Sequence, residues 1–432
     1  MSSLFVTTVF AALLLAVLLT RFWLIGRQVR HVAAHRASVP PRFAERVTLA
    51  AHQRAADYTI ARHRLDLLAI AWGAAVLLGW TLLGGLDQLN QQLLALLQPR
   101  WGDLGYQLGL LTAVSLIGAL LDLPLEAWRT FRLEQHHGFN RMTPAMWLRD
   151  LLLAGLVGAL IGLPLAALVL WLMAATGSTW WLWAFGVFAG FMLLMQLVYP
   201  TVIAPLFNKF EPLGDEALRR RVEALMQRCG FRASGLFVMD GSKRSAHANA
   251  YFTGFGAAKR VVFFDTLLGK LAAPEVEAVL AHELGHAKLG HVPKRIGAVL
   301  LLWGASLALI NWLMAQPAFF TGLGVTPLLD APNHALALIL VMLVAPVVGF
   351  FASPLAAALS RRHEFEADAY ACAHSRADDL ASALLKLYED NASTLTPDPV
   401  YVRFHYSHPP ASERLAALPL LTAPTPVAAH GA

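Results

Sequence analysis

The chain has 432 residues, 57% of them hydrophobic and only 14% charged, against about 45–50% apolar and about 25% charged in an average soluble domain. That balance excludes an ordinary cytosolic enzyme, and with 12 Trp and 23 Phe and a mean hydropathy of +0.54 it also excludes a disordered chain, because so much apolar surface must be buried in protein or lipid. The net charge of +6 does not point to nucleic acid, since the basic residues cluster beside apolar runs, where the cytoplasmic face of a membrane explains them. Two cysteines, Cys229 and Cys372, supply neither a disulfide framework nor a Cys-rich zinc module.

A membrane helix needs about 20 mostly apolar residues, and seven runs qualify: 4–25, 67–86, 104–122, 151–174, 180–203, 296–314 and 334–356. The first does not read as a cleavable signal peptide, because Arg21 and Arg27 follow its apolar stretch and no basic residue precedes it. Pro164 and Pro346 fall inside two runs, where a helix kinks without breaking because lipid forces the backbone to stay paired. The connection after the first run carries Arg27, Arg30, Arg36, Arg42, Arg46, Arg54, Arg62 and Arg64, and the one after the third carries Arg129, Arg132, Arg141 and Arg149. The second has only Arg100, the fourth no charge, and the sixth Asp330 but no Lys or Arg. By the positive-inside rule this alternation places the N-terminus outside and the C-terminus, with both long polar segments, in the cytoplasm.

Between the fifth and sixth runs the pattern becomes that of a small soluble domain. Residues 215–228 predict an amphipathic helix, and 236–239, 249–253 and 261–264 predict short strands, the last two forming a hairpin with a turn around Gly254, Gly256 and Lys259. Pro274, with Glu275 and Glu277 suited to the positive end of a helix dipole, opens a helix to about Gly290. The expected organisation is a membrane domain over 1–203, a catalytic segment over 204–295, two further spans over 296–356, a second catalytic segment over 357–422 and a disordered tail over 423–432.

The 273–290 helix carries His282-Glu283-Leu284-Gly285-His286, an H-E-x-x-H motif. Four helical steps rotate about 400°, so His282 and His286 share a face and can bind one Zn²⁺ through imidazole nitrogen. A carboxylate directly after the first ligand lies beside the metal, where Glu283 would take a proton from an activated water and pass it to the leaving amine. His291 lies about 180° round a continuing helix from His282, and Leu289 and Val292 stand where the metzincin spacing asks for Gly and His, so His291 is predicted not to be a ligand. In Arg361-Arg362-His363-Glu364-Phe365-Glu366-Ala367-Asp368, a helix would place Glu364 and Asp368 on one face. Glu364 could then complete a His₂Glu site while Asp368 receives the N–H of a ligand histidine. Glu366, about 200° from Glu364, reads as a solvated face residue.

These motifs, together with Glu134-Gln135-His136-His137-Gly138-Phe139-Asn140, the Tyr199 to Phe210 segment, Gly241-Ser242-Lys243-Arg244-Ser245, Asn249-Ala250-Tyr251-Phe252, Lys259 to Leu268 and His405-Tyr406-Ser407-His408-Pro409-Pro410, make nearly the whole chain resemble the membrane-integral CAAX prenyl proteases of the Ste24 type, zinc metalloproteases of the M48 class. The resemblance implies a mostly α-helical membrane protein whose seven transmembrane helices enclose a chamber, with a cytoplasmic α+β zincin-like domain. It implies one Zn²⁺ on His282, His286 and Glu364, Glu283 as the catalytic glutamate, and His408 and Arg414 holding the substrate or the tetrahedral intermediate. It also makes the strand of Asn249, Ala250 and Tyr251 a cleft edge to which an extended peptide adds.

The partners so implied are a peptide or protein substrate, lipidated or membrane-embedded, and the bilayer, with no nucleic acid. No retrieval signal ends the chain, and a composition rich in Ala, Leu and Arg leads to the expectation of a bacterial cytoplasmic membrane. Two alternatives stand beside this reading: a quality-control protease of the HtpX type, which has fewer spans, and a channel or transporter whose structural zinc is closed by a fourth ligand from among His291, His363, His408 and Asp368.

Overall fold

The structure, a computed structural model, describes residues 2–231, 235–253, 260–329 and 331–419. The turn around Gly254, Gly256 and Lys259, residue Asp330 and the 423–432 tail lie outside them. In chain order the helices are α1 (Ser3–His35), α2 (Leu49–Trp80), α3 (Gly85–Trp128), α4 (Pro144–Ala175), α5 (Trp180–Val198), α6 (Ala204–Phe207), α7 (Glu216–Arg228), α8 (Asp265–Leu268) and α9 (Ala273–Lys288). There follow α10 (His291–Met314), α11 (Pro317–Gly322), α12 (His334–Gly349), α13 (Ser353–His374), α14 (Ala377–Asp390), α15 (Pro399–His405) and α16 (Ala411–Ala417). The strands are β1 (Phe210–Pro212), β2 (Gly235–Met239), β3 (Ala250–Thr253) and β4 (Arg260–Phe264).

The chain forms two compact units, the first from residues 1–30, 60–198 and 294–353, the second from 31–59, 199–293 and 354–432. The first is helical. Tyr106, Leu110, Trp180, Phe320, Leu336 and Leu340 are buried in its core, while Leu152, Leu156 and Leu160 of α4 and Leu301 and Leu302 of α10 face outward. So many exposed leucines suit a hydrocarbon solvent and not water. Pro164 and Pro346 are carried inside unbroken helices.

Among the described residues, six helical stretches are long and apolar enough to cross a membrane: Ser3–His35, Gly85–Glu134, Pro144–Ala175, Gly177–Phe207, His291–Met314 and His334–His374. The run at 67–86 is not among them. Its residues up to Trp80 lie in α2, where Arg64 and Asp66 precede the apolar part, and its last two lie in α3. That leaves about 21 Å of uncharged helix at about 1.5 Å per residue, against a hydrocarbon core of about 30 Å.

The second unit holds one four-stranded sheet in the order β1-β2-β4-β3, with β2 and β4 parallel and the outer pairs antiparallel. The three predicted strands are present; β1 has no alternating pattern to mark it and contains Pro212, which fits an edge strand. α7 begins where Asp215 accepts from the N–H groups of Ala217 and Leu218. Its apolar face (Leu218, Val222, Leu225, Met226) packs in one core with Val261 and Phe263 of β4, Leu280, Ala281 and Leu284 of α9, and Leu380 and Leu384 of α14.

Candidate metal centre

α9 starts where the Glu275 carboxylate reaches back to the Ala272 N–H at 2.7 Å and Pro274 occupies its first turn. It ends at Lys288, near the predicted end at about Gly290, and Gly290 with φ +69° turns the chain into α10, so the continuing helix on which His291 would stand about 180° from His282 is broken before it. Gly285 sets the distance to α13. A Cβ there would stand 3.1 Å from Ala367 Cα and 3.1 Å from Tyr370 Cβ, closer than ordinary contact, so only glycine lets the two helices approach this far.

That approach brings three ligand-type side chains together. The Nε2 atoms of His282 and His286 lie 3.2 Å apart. His282 Nε2 is 3.4 Å from Glu364 Oε2, and His286 Nε2 is 3.4 Å from Glu364 Oε1. Tetrahedral coordination with bonds of about 2.0–2.1 Å separates its ligand atoms by about 3.3 Å, so all three spacings fit one such ion. The orientations fit as well. His282 Nδ1 donates to Asp368 Oδ1 at 2.8 Å, and His286 Nδ1 lies 2.9 Å from His291 Nδ1, so both Nδ1 atoms are engaged outside the cluster and the two Nε2 atoms face each other within it. Glu364 is buried, and its Oε2 makes no hydrogen bond to any described residue; an orphaned buried carboxylate oxygen is costly without a charge to meet it.

Glu283 is half-buried beside this cluster. Burial raises its pKa above the ordinary glutamate value, with His282 and His286 pulling the other way. At His282, burial works against the charge, yet the hydrogen bond to Asp368 and the nearby Glu364 carboxylate outweigh it and raise the pKa to about 9. Protons therefore compete with a metal for its Nε2.

The other predicted site residues are placed less uniformly. His408 is exposed, with Nε2 3.4 Å from Glu364 Oε1 and Nδ1 3.0 Å from Ser407 Oγ. Arg414 is buried and grips Asp368 with two bonds, Nε to Oδ2 at 2.8 Å and Nη2 to Oδ1 at 2.5 Å, while Nη1 stands 3.9 Å from Glu364 Oε2. Arg414, expected to hold the substrate or the tetrahedral intermediate, thus also orients Asp368. Asn249 lies just before β3, exposed, its side-chain oxygen accepting from Ala250 N–H; Ala250 and Tyr251 open β3, which is an edge of the sheet.

Two residues have roles that the helical-wheel argument missed. His291 is buried against His286, and Glu366, expected on a solvated face, accepts from His291 Nε2 at 3.0 Å and from Arg362 Nε at 2.9 Å. The signal in the sequence was Gly290, whose left-handed turn breaks the helical phase before His291.

Residues 28–209 match the family described as CAAX prenyl protease N-terminal, five membrane helices, and residues 212–421 match peptidase family M48. A CAAX prenyl protease 1 homolog of Oryza sativa subsp. japonica is 37% identical over 314 residues, covering 72% of this chain and 73% of the relative. CAAX prenyl protease 1 of Saccharomyces cerevisiae is 36% identical over 327 residues, covering 72% and 71%. The crystal structure of S. mikatae Ste24p superimposes with a TM-score of 0.89 at 28% identity, covering 96% of this chain and 99% of that one. Fold and site together define an integral-membrane metalloprotease. The chain belongs to the Ste24-type CAAX prenyl protease family of M48 peptidases.

Proposed function

We propose that this protein is a zinc endopeptidase that holds one Zn²⁺ on His282, His286 and Glu364 and uses Glu283 as general base. The observation that carries this reading is the triangle of ligand atoms with edges of 3.2, 3.4 and 3.4 Å. His282, His286 and Glu364 are also the whole of that ligand group among the described residues. Asp368 and His291 bind the Nδ1 sides of the two histidines, away from the cluster, so neither closes a four-ligand structural site and a position is left for water or substrate. When bound, zinc supplies Lewis acidity toward that water and the scissile carbonyl. Glu283, its carboxylate held by no hydrogen bond among the described residues, takes the proton from the water and delivers it to the leaving amine. His408 supplies an N–H toward the developing oxyanion. Asp368, gripped by Arg414, keeps the His282 proton on Nδ1. A substrate peptide adds in extended form to the free edge of β3, with Asn249 beside its start.

The relatives named for CAAX prenyl proteolysis support a lipidated or membrane-embedded peptide as substrate. Purified Glu283→Gln protein is expected to keep zinc and lose cleavage of a fluorogenic peptide by about 10²–10⁴-fold or more; near wild-type turnover in zinc-loaded Glu283→Gln removes the assignment.

The charge alternation supports seven crossings, with α2 as a short second span, and a site on the cytoplasmic side. The expectation of a bacterial cytoplasmic membrane rests on composition alone, and the relatives described above are eukaryotic. A cytoplasm-active reporter fused after about residue 330 is expected to be silent, and one fused after about residue 425 active; the opposite pattern reverses the orientation.

A further inference from the structure

His291, His363 and Glu366 have ligand-type atoms within 4.8 Å of one another, beside the metal centre. A second cation does not fit them. The rings of His291 and His363 are stacked, with centroids 4.0 Å apart and planes 11° apart. An imidazole lone pair lies in the ring plane, so no single ion can be in line with both rings. Both polar atoms of His291 are engaged elsewhere: Nδ1 is 2.9 Å from His286 Nδ1, and Nε2 is 3.0 Å from Glu366 Oε2.

We infer that His291 and Glu366 are positioning residues that select the tautomer of His286 and aim its Nε2 at the metal. This rests on the proposed role of His286 as a ligand. Between the two Nδ1 atoms one must donate and the other accept. If His291 donated, His286 would carry its proton on Nε2 and could not ligate. Glu366 decides the direction, because a carboxylate accepts only: the His291 proton is drawn to Nε2, its Nδ1 becomes an acceptor, and the His286 proton is held on Nδ1 with the Nε2 lone pair free. Arg362 Nε fixes the other Glu366 oxygen at 2.9 Å, and the His363 ring packs on the face of His291.

The two ligand histidines are thus held by parallel devices that each end on an arginine. His282 is oriented by Asp368 and Arg414, buried together. His286 is oriented by His291, Glu366 and Arg362, the last of these exposed. Gly290 makes the second device possible, since its left-handed turn restarts the chain with His291 folded back on His286.

The test is zinc affinity of the purified full-length protein, measured by competition with a chelator. His291→Phe keeps a ring for the stack and removes the acceptor; its affinity is expected to fall about 10- to 100-fold. His291→Asn puts an oxygen where Nδ1 sits and is expected to stay within about threefold of wild type. A role in packing alone would leave His291→Phe near wild type, or would weaken both variants alike. Either equal loss in the two or wild-type affinity in His291→Phe overturns the inference. If His291→Phe does not fold, Glu366→Ala at the half-exposed end of the chain carries the test: a loss of about threefold or more supports it, and unchanged affinity overturns it. A wild-type protein that takes up no zinc overturns the metal reading itself, whereas tight zinc in both wild type and His291→Phe overturns this inference alone.

Discussion

The two units bury polar groups in different ways. Among the described residues, every buried carboxylate and guanidinium (Glu275, Glu277, Glu364, Asp368, Asp398 and Arg414) lies in the second unit, while the first buries uncharged groups such as Thr81, Asn90 and Gln107. Apolar packing in the first unit is non-directional and tolerates small shifts. Buried charges destabilise unless each meets a partner at a defined distance and angle, so the second unit holds its atoms to tighter positions. Glu275 meets Lys386, Ser382 and the Ala272 N–H. Glu277 meets Arg221 and Arg228, Asp368 meets His282 and Arg414, and Asp398 caps α15. Of these carboxylates only Glu364 retains a buried oxygen without a hydrogen bond. Among the described residues, the other five buried charged groups are hydrogen-bonded while Glu364, with one oxygen unbonded, is turned toward two histidines, an arrangement suited to a cation.

The contrast breaks first at Glu364. Glu364→Ala removes one of the three proposed ligands and is expected to abolish stoichiometric zinc by metal analysis, whereas Asp368→Ala is expected to weaken affinity by about 10- to 100-fold and leave the site fillable. Full zinc in Glu364→Ala would return the orphaned oxygen to an unexplained feature.

A smaller effect is expected at Gly285. Gly285→Ala places a methyl 3.1 Å from Ala367 Cα, against backbone that cannot rotate away, so α9 and α13 must separate by a few tenths of an ångström. Zinc affinity, read by the same competition, should drop on the order of tenfold with secondary structure retained. An unchanged value would mean that the two helices part without disturbing the ligand triangle.

The smallest effect sharpens the comparison between the units. Burial alone would raise the Glu275 pKa, but bonds from Lys386, Ser382 and the Ala272 N–H outweigh it and hold it below the ordinary glutamate value. A carboxylate depressed in the folded state contributes stability above its unfolded pKa and loses it as the pH falls through the folded value. Glu275→Gln should therefore cost about 1–2 kcal/mol at neutral pH, and the difference from wild type in thermal unfolding should shrink below about pH 4.5. Leu301→Ala, on an outward face of the first unit, should change stability by no more than about 0.5 kcal/mol. A larger effect at Leu301 than at Glu275 would invert the comparison.

The sequence by itself determined what repeats locally. Apolar runs of membrane length, the capping and proline signals that open α9, the strands β2, β3 and β4, and two histidines at a spacing of four all depend on neighbours within a turn or two of backbone. It also determined the family, because a long ordered series of motifs is legible without any fold. Tertiary structure decided what depends on partners distant in the chain or on a change of backbone phase. β1 exists because β2 offers it an edge. Arg414 is buried on Asp368, 46 residues away in the chain. His291 touches His286 because Gly290 resets the helical phase that a wheel argument assumes to be continuous. Periodicity fixes which residues share a face, but only packing of one helix against another fixes which faces meet.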